Sequence, residues 1–162
     1  MHSVSFKANI DFDAVHSVFS DTDVLDAVHG RGMWTFTDWK AQEDGSWVRT
    51  GNVKGVHVPG FARCLNRGKK YVICRVSQRY IPGDDKSEIV SSMHPKHIGH
   101  DVARNMSRFV IYPYSQGTCI VTASYTNSTS LPHPLSGMAI DIMDDMSKET
   151  LDYLQDAIAA EK

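Results

Sequence analysis

Between Met33 and Tyr125 the sequence carries no helical period, and from Leu135 onward it carries little else. That switch constrains the fold more than any composition value. In the first stretch, aromatic or β-branched segments alternate with turn signals. Met33 to Ala41 reads as a strand, turned at Glu43-Asp44-Gly45 into Ser46 to Val56. Lys69 to Ile81 leads through Pro82-Gly83-Asp84-Asp85 into Ser87 to Met93, and Asn105 to Tyr112 leads through Ser115-Gln116-Gly117 into Thr118 to Thr126. Six consecutive strands with mostly short connections make an antiparallel meander. The exceptions, Val58 to Gly68 and His94 to Ala103, are longer than hairpins require and are expected at a mouth or lid.

Beyond Leu131-Pro132-His133-Pro134, the residues Leu135, Met138, Ala139, Ile142, Met146, Tyr153, Leu154 and Ala157 recur at helical spacing. Asp141, Asp144, Asp145, Lys148, Asp152 and Asp156 take the other side. A helix of roughly 26 residues would span about 39 Å, enough to lie across a whole sheet. At the other end, Val4, Phe6 and Ala8 alternate within a strand from Ser3 to Ile10. Asp11 or Asp13 then caps a short helix ending near Ser20, and Asp21 or Asp23 caps a second one stopped by Gly30 and Gly32. The expectation is a single α+β domain over residues 1–162: a seven-stranded antiparallel sheet, two short helices and one long C-terminal helix.

Seventeen Lys and Arg against nineteen Asp and Glu leave a net charge of −2, which provides no field for a nucleic-acid backbone. No apolar run approaches the roughly 20 residues of a membrane span. His2, Lys7, Asp11 and Asp13 interrupt any signal-like apolar region, so export is not expected. Cys64, Cys74 and Cys119 are too few and too widely spaced for a disulfide framework or a zinc pair, which fits a reducing, cytoplasmic setting.

The order strand, two short helices, six strands and a long helix resembles the helix-grip fold of the START-like superfamily, in which a curved sheet wraps the last helix. Local residues are most similar to the VASt sterol-binding branch: Trp39, Gly45-Ser46-Trp47-Val48-Arg49, Val76-Ser77-Gln78-Arg79-Tyr80, Ile98-Gly99-His100-Asp101, Ser107-Arg108-Phe109-Val110-Ile111, and Pro134 before the helix. VASt domains usually belong to longer membrane-anchored proteins with a companion lipid-sensing domain. A stand-alone carrier, a polyketide-cyclase-like enzyme and an excised domain all stay open.

The resemblance implies an apolar cavity between sheet and helix, holding a sterol-like or other hydrophobic small molecule. Trp34, Phe36 and Trp39 cluster on one hairpin with Trp47, and Met138, Ile142 and Met146 offer adaptable side chains from the helix. Phe61 lies in the first long connection. Tyr71, Ile73 and Arg75 share one parity, so if their face points inward Arg75 is a buried cation able to orient a ligand hydroxyl, carboxylate or enolate. Arg63, Arg67, Lys69 and Lys70 would draw the mouth toward an anionic membrane surface.

The alternative is a cyclase, aromatase or hydratase working by acid–base chemistry in the same cavity, with no cofactor. Nucleophilic catalysis finds no Gly-x-Ser-x-Gly elbow, phosphate-cradling loop or dinucleotide fingerprint. His94, His97, His100 and Asp101 have the donor chemistry of a metal site. Pro95 and Gly99 make that stretch an irregular loop in which the spacing guarantees no common face, so a metal is not expected.

Overall fold

The alternating segments pair into one antiparallel sheet in the computed structural model, which describes residues 2–15, 34–57, 60, 63–64, 68–96 and 103–159. Its strands are β1 (His2–Ala8), β2 (Trp34–Phe36), β3 (Lys40–Ala41), β4 (Trp47–His57), β5 (Tyr71–Ile81), β6 (Ser87–Pro95), β7 (Arg104–Ser115) and β8 (Thr118–Ser128). Neighbours run β1-β8-β7-β6-β5-β4-β2, with β3 also on β4. The meander from β4 to β8 is as expected, and β1 returns beside the last strand. Helix α1 (Leu135–Ile158) has 24 residues, about 36 Å.

The sheet has eight strands, not seven, because the segment expected to run from Met33 to Ala41 divides at Thr37-Asp38-Trp39. Thr37 closes β2 with its amide on the Thr50 carbonyl at 2.9 Å, and its hydroxyl also bonds Thr50. The excursion that follows carries the Trp39 ring onto the Arg49 guanidinium. After β1, Asp11 stands at the start of a 3-10 turn over Phe12–Ala14 but makes no side-chain cap. The rest of the two expected short helices lies outside the described residues.

Helix α1 packs on β1 and β8. Phe6, Ala8, Ile111, Cys119 and Val121 on the sheet enclose Leu154 and Ile158, while Ala123 and Tyr125 enclose Leu151. The buried stripe is therefore rotated from the expected one. Ile142 lies nine residues before Leu151, about two and a half turns and so on the opposite side of the helix. The sheet selects the stripe that also carries Asp144 and Ser147, because those groups bond Asn105, Asn127 and Tyr125.

On the opposite, outer face Glu88 sits between Arg108, which donates to its carboxylate, and Lys86 at 3.4 Å. Burial pushes the carboxyl upward, but the Arg108 bond and both cations hold it below its ordinary value. A depressed folded pKa stabilises above the unfolded value, and that contribution is lost as the pH falls through the folded one. With Arg108 and Lys86 both half-exposed the pair is screened. Glu88→Gln is expected to cost about 0.5–1 kcal/mol at neutral pH. Urea unfolding should show the difference closing as the pH falls through the depressed folded pKa; a gap that does not narrow in acid would contradict the pairing.

Candidate functional site on the inner face of the sheet

Residues paired across antiparallel strands share a face, so the register sorts the sheet into rows. Three inner rows define the candidate site. The first runs Trp34, Val53, Cys74 and Pro95; the second runs Phe36, Gly51, Val76, Met93, Asn105 and Asn127. The third runs Arg49, Gln78, Ser91, Ser107 and Tyr125, a polar line from β4 to β8 across the middle of an apolar surface. Beyond it Trp47, Tyr80, Ile89, Phe109 and Ala123 resume the apolar pattern.

Arg49 is the chemically distinctive member, only 6% exposed. Its guanidinium carbon lies 3.9 Å from the centre of the Phe36 ring and 4.4 Å from that of Trp39, and its Nε donates to Gln78 Oε1 at 2.7 Å. Phe36 in turn stacks on Trp34 with centroids 5.5 Å apart. Burial pushes the guanidinium down to about 10, so it stays charged at neutral pH. A buried cation survives here because aromatic faces and a side-chain amide replace part of its lost hydration.

At the other end of the line, polar groups fix the helix. Asn105 Nδ2 donates to Asn127 Oδ1 at 2.6 Å and Ser147 Oγ at 3.0 Å, while Ser107 donates to Asn105 Oδ1. Asn127 Nδ2 donates to Asp144 at 2.8 Å, and the Tyr125 hydroxyl donates to the Asp144 carbonyl. Burial raises the Tyr125 phenol, with Asp144 adding to it. Between these ends, Gln78, Ser91, Met93 and Ser107 remain half-buried. Among the described residues, the apolar group of Val53, Cys74, Val76, Trp34, Phe36 and Met93 is separate from the groups packed on α1.

The structure brings Phe36 and Trp39 together around Arg49, with Trp34 stacked on Phe36. Alternation places Trp39 opposite Trp34 and Phe36 unless a bulge intervenes; the break after β2 is that intervention. Tyr71, Ile73 and Arg75 lie on the outer face, with Tyr71 and Arg75 exposed, so the condition attached to Arg75 is not met. The inward arginine is Arg49, and it had a sequence signal. Trp47, Gly51 and Val53 alternate with Val48, Thr50, Asn52 and Lys54, so the more apolar parity of β4 contains Arg49.

Met138 and Ile142 are exposed, at 43% and 37%, on the side of α1 away from Leu151. Phe61 and the side chain of Met146 lie outside the described residues, as do His97, His100 and Asp101. His94 is half-buried on the outer face, its Nδ1 3.0 Å from the Pro95 carbonyl. Among the described residues no cluster of His, Cys, Asp and Glu could hold a metal. Cys74 and Cys119 are buried and Cys64 is exposed; burial pushes the Cys74 thiol up to about 12. No helix among the described residues is long and apolar enough to cross a membrane.

No family model and no curated protein matches the chain. Solved structures do. A START superfamily protein from Mycobacterium smegmatis superposes with a TM-score of 0.56 at 14% identity, over 97% of this chain and 95% of that one. The Zhui aromatase/cyclase from Streptomyces sp. R1128 gives 0.59 at 6% identity, over 96% and 88%. A dicamba monooxygenase bound to 3,6-dichlorosalicylic acid gives 0.54 at 10%, over 96% of this chain and 50% of that one. The chain therefore has the helix-grip fold of START-like proteins, with a large antiparallel sheet and one long C-terminal helix.

Proposed function

We propose that this protein binds one hydrophobic small molecule against the inner face of the sheet beside α1, its apolar body on Trp34, Phe36, Val76 and Met93. A polar end directed at the Arg49 line makes the ligand amphipathic and sterol-like. What supports this is that, among the described residues, inward-facing Gln78, Ser91, Met93 and Ser107 are only half-buried and lie between apolar groups that do not merge, as the proposed gap requires. Burying some 400 Å² of ligand surface would contribute about 10 kcal/mol before association costs, ample for micromolar affinity. The shared fold and the VASt-like motifs support the sterol branch, and exposed Lys69 and Lys70 beside the β4–β5 connection support exchange at an anionic membrane surface.

Arg49 also favours a second reading, a cyclase-like enzyme. A desolvated guanidinium is suited to a developing enolate, and one structural neighbour is named an aromatase/cyclase. Turnover of a polyketide-type substrate separates the two.

The test is to fill the gap. Ser91 faces inward between Gln78 and Ser107, so Ser91→Phe projects an aromatic ring into the space. If the space is open, the ring enters at little cost and a fluorescent sterol or fatty-acid probe loses at least about tenfold in affinity. A solid interior would instead lose about 1–3 kcal/mol to overpacking. Destabilisation of that size, with probe affinity unchanged in the folded fraction, would defeat the proposal. Native mass spectrometry of protein from its own source should show a retained small molecule in the wild type and not in the variant.

A further inference from the structure

The outer face carries a concavity where β2 ends beside β4 and β5. A cleft of about 280 Å³ is walled by Thr35, Thr37, Thr50, Asn52, Arg75 and Lys96, with Phe36 and Gly51 completing it. Its position follows from the register. Thr35, Asn52 and Arg75 form one line across β2, β4 and β5, and Thr50 belongs to the next outward line. Lys96 follows the end of β6, where its amide donates to the Ile73 carbonyl at 2.8 Å and holds it diagonally across from Arg75. The bonds of Thr37 to Thr50 fix the wall where β2 ends.

The cations of this cleft differ from the paired ones elsewhere on the outer face. Arg108 and Lys86 are matched by Glu88, Arg79 by Asp44 at 3.7 Å, and Arg104 donates to Ser92. Among the described residues no carboxylate lies within ion-pair distance of Arg75 or Lys96, and none lines the cleft. Two cations thus face a hollow whose other polar side chains are hydroxyls and an amide. Lys54, opposite Ile73 and over the Tyr71 ring at 5.2 Å, extends the positive surface along β4. In a chain of net charge −2 this concentration is local.

The geometry points to a binding site for a phosphate-type oxyanion in this cleft: Arg75 engages two oxygens through its planar fork, Lys96 neutralises the charge, and Thr35, Thr50 and Asn52 supply neutral donors. Such a fork matches phosphate geometry, and a lysine completes it as a point charge. The volume accommodates one phosphate group with a small organic ester. A soluble phosphate ester and the headgroup of an acidic phospholipid share this chemistry.

The experiment titrates the intact chain with inorganic phosphate, then glycerol phosphate, following backbone amide shifts at ionic strength held constant with sodium chloride. The expected result is a saturable response at Thr35, Asn52, Arg75 and Lys96. Half-saturation should rise at least about tenfold in the Arg75→Gln, Lys96→Gln double variant and stay unchanged in Lys40→Gln. Arg75 and Lys96 are exposed, so the double variant should keep the wild-type unfolding midpoint. Sedimentation with phosphatidic acid vesicles, lost in the double variant, would assign the lipid headgroup; binding of glycerol phosphate without sedimentation would assign the soluble ester. A response that chloride reproduces, or that the double variant retains, overturns the site. Ser91→Phe, which blocks only the inner face, should leave the phosphate response intact.

Discussion

Truncating Leu154 to alanine is expected to lower the unfolding free energy by about 2–4 kcal/mol, whereas Ile142→Ala, on the same helix, should cost under about 1 kcal/mol. Both substitutions remove apolar groups of similar size. What differs is the wall each meets. Leu154 is 7% exposed and packs with Phe6, Ala8, Ile111 and Val121, so its removal leaves a void that a sheet cannot collapse to fill. Ile142, 37% exposed, forfeits only part of its burial. Urea unfolding of the two variants beside the wild type decides it. Equal losses would mean that the two sides of α1 are held alike, which would remove the idea that the sheet grips the helix by the stripe of Leu151, Leu154 and Ile158.

That asymmetry also explains how far the sequence could be read. The strands announce themselves wherever one face is dry: Val4, Phe6 and Ala8 on β1, and Cys119, Val121, Ala123 and Tyr125 on β8, alternate with residues on the other face. Element order followed from these periods. Face assignment was harder in β5, where each parity contains polar groups. Tyr71 and Ile73 make the odd set look apolar at its start, but Arg75, Ser77 and Arg79 continue it, and the even set Cys74, Val76, Gln78 and Tyr80 turns inward. A register shift between Lys54 and Val56 in β4 further separates the start of β5 from the rest of the ladder. The helix posed the same problem, since more than half of its circumference is apolar. Only the partners of Asp144 and Ser147, distant in sequence, decide which stripe is buried. The cation between Phe36 and Trp39 depends likewise on where β2 breaks, a tertiary fact that no local period encodes.

Gly51→Ala is expected to disturb both faces at once. A Cβ at this position would lie 2.4 Å from the Thr35 carbonyl oxygen and 2.5 Å from Phe36 Cδ1. The oxygen belongs to the edge-strand backbone and cannot rotate aside as a flexible side chain could, so β2 must move away from β4. Overpacking of this kind costs about 1–3 kcal/mol. Movement of β2 takes the Phe36 ring off the Arg49 guanidinium, leaving a desolvated cation with one aromatic face instead of two, and a buried charge that loses a partner is destabilising in its own right. Thr35 and Phe36 also line the outer cleft, so the same shift alters its shape. The expected outcome is therefore a lower unfolding midpoint, changed tryptophan fluorescence from Trp34 and Trp39, and weaker binding of both the hydrophobic probe and phosphate. Arg75→Gln with Lys96→Gln should affect phosphate alone, and Ser91→Phe the probe alone. Wild-type stability and fluorescence in Gly51→Ala would show that β2 is not seated against Gly51, and the aromatic enclosure of Arg49 would fall with it.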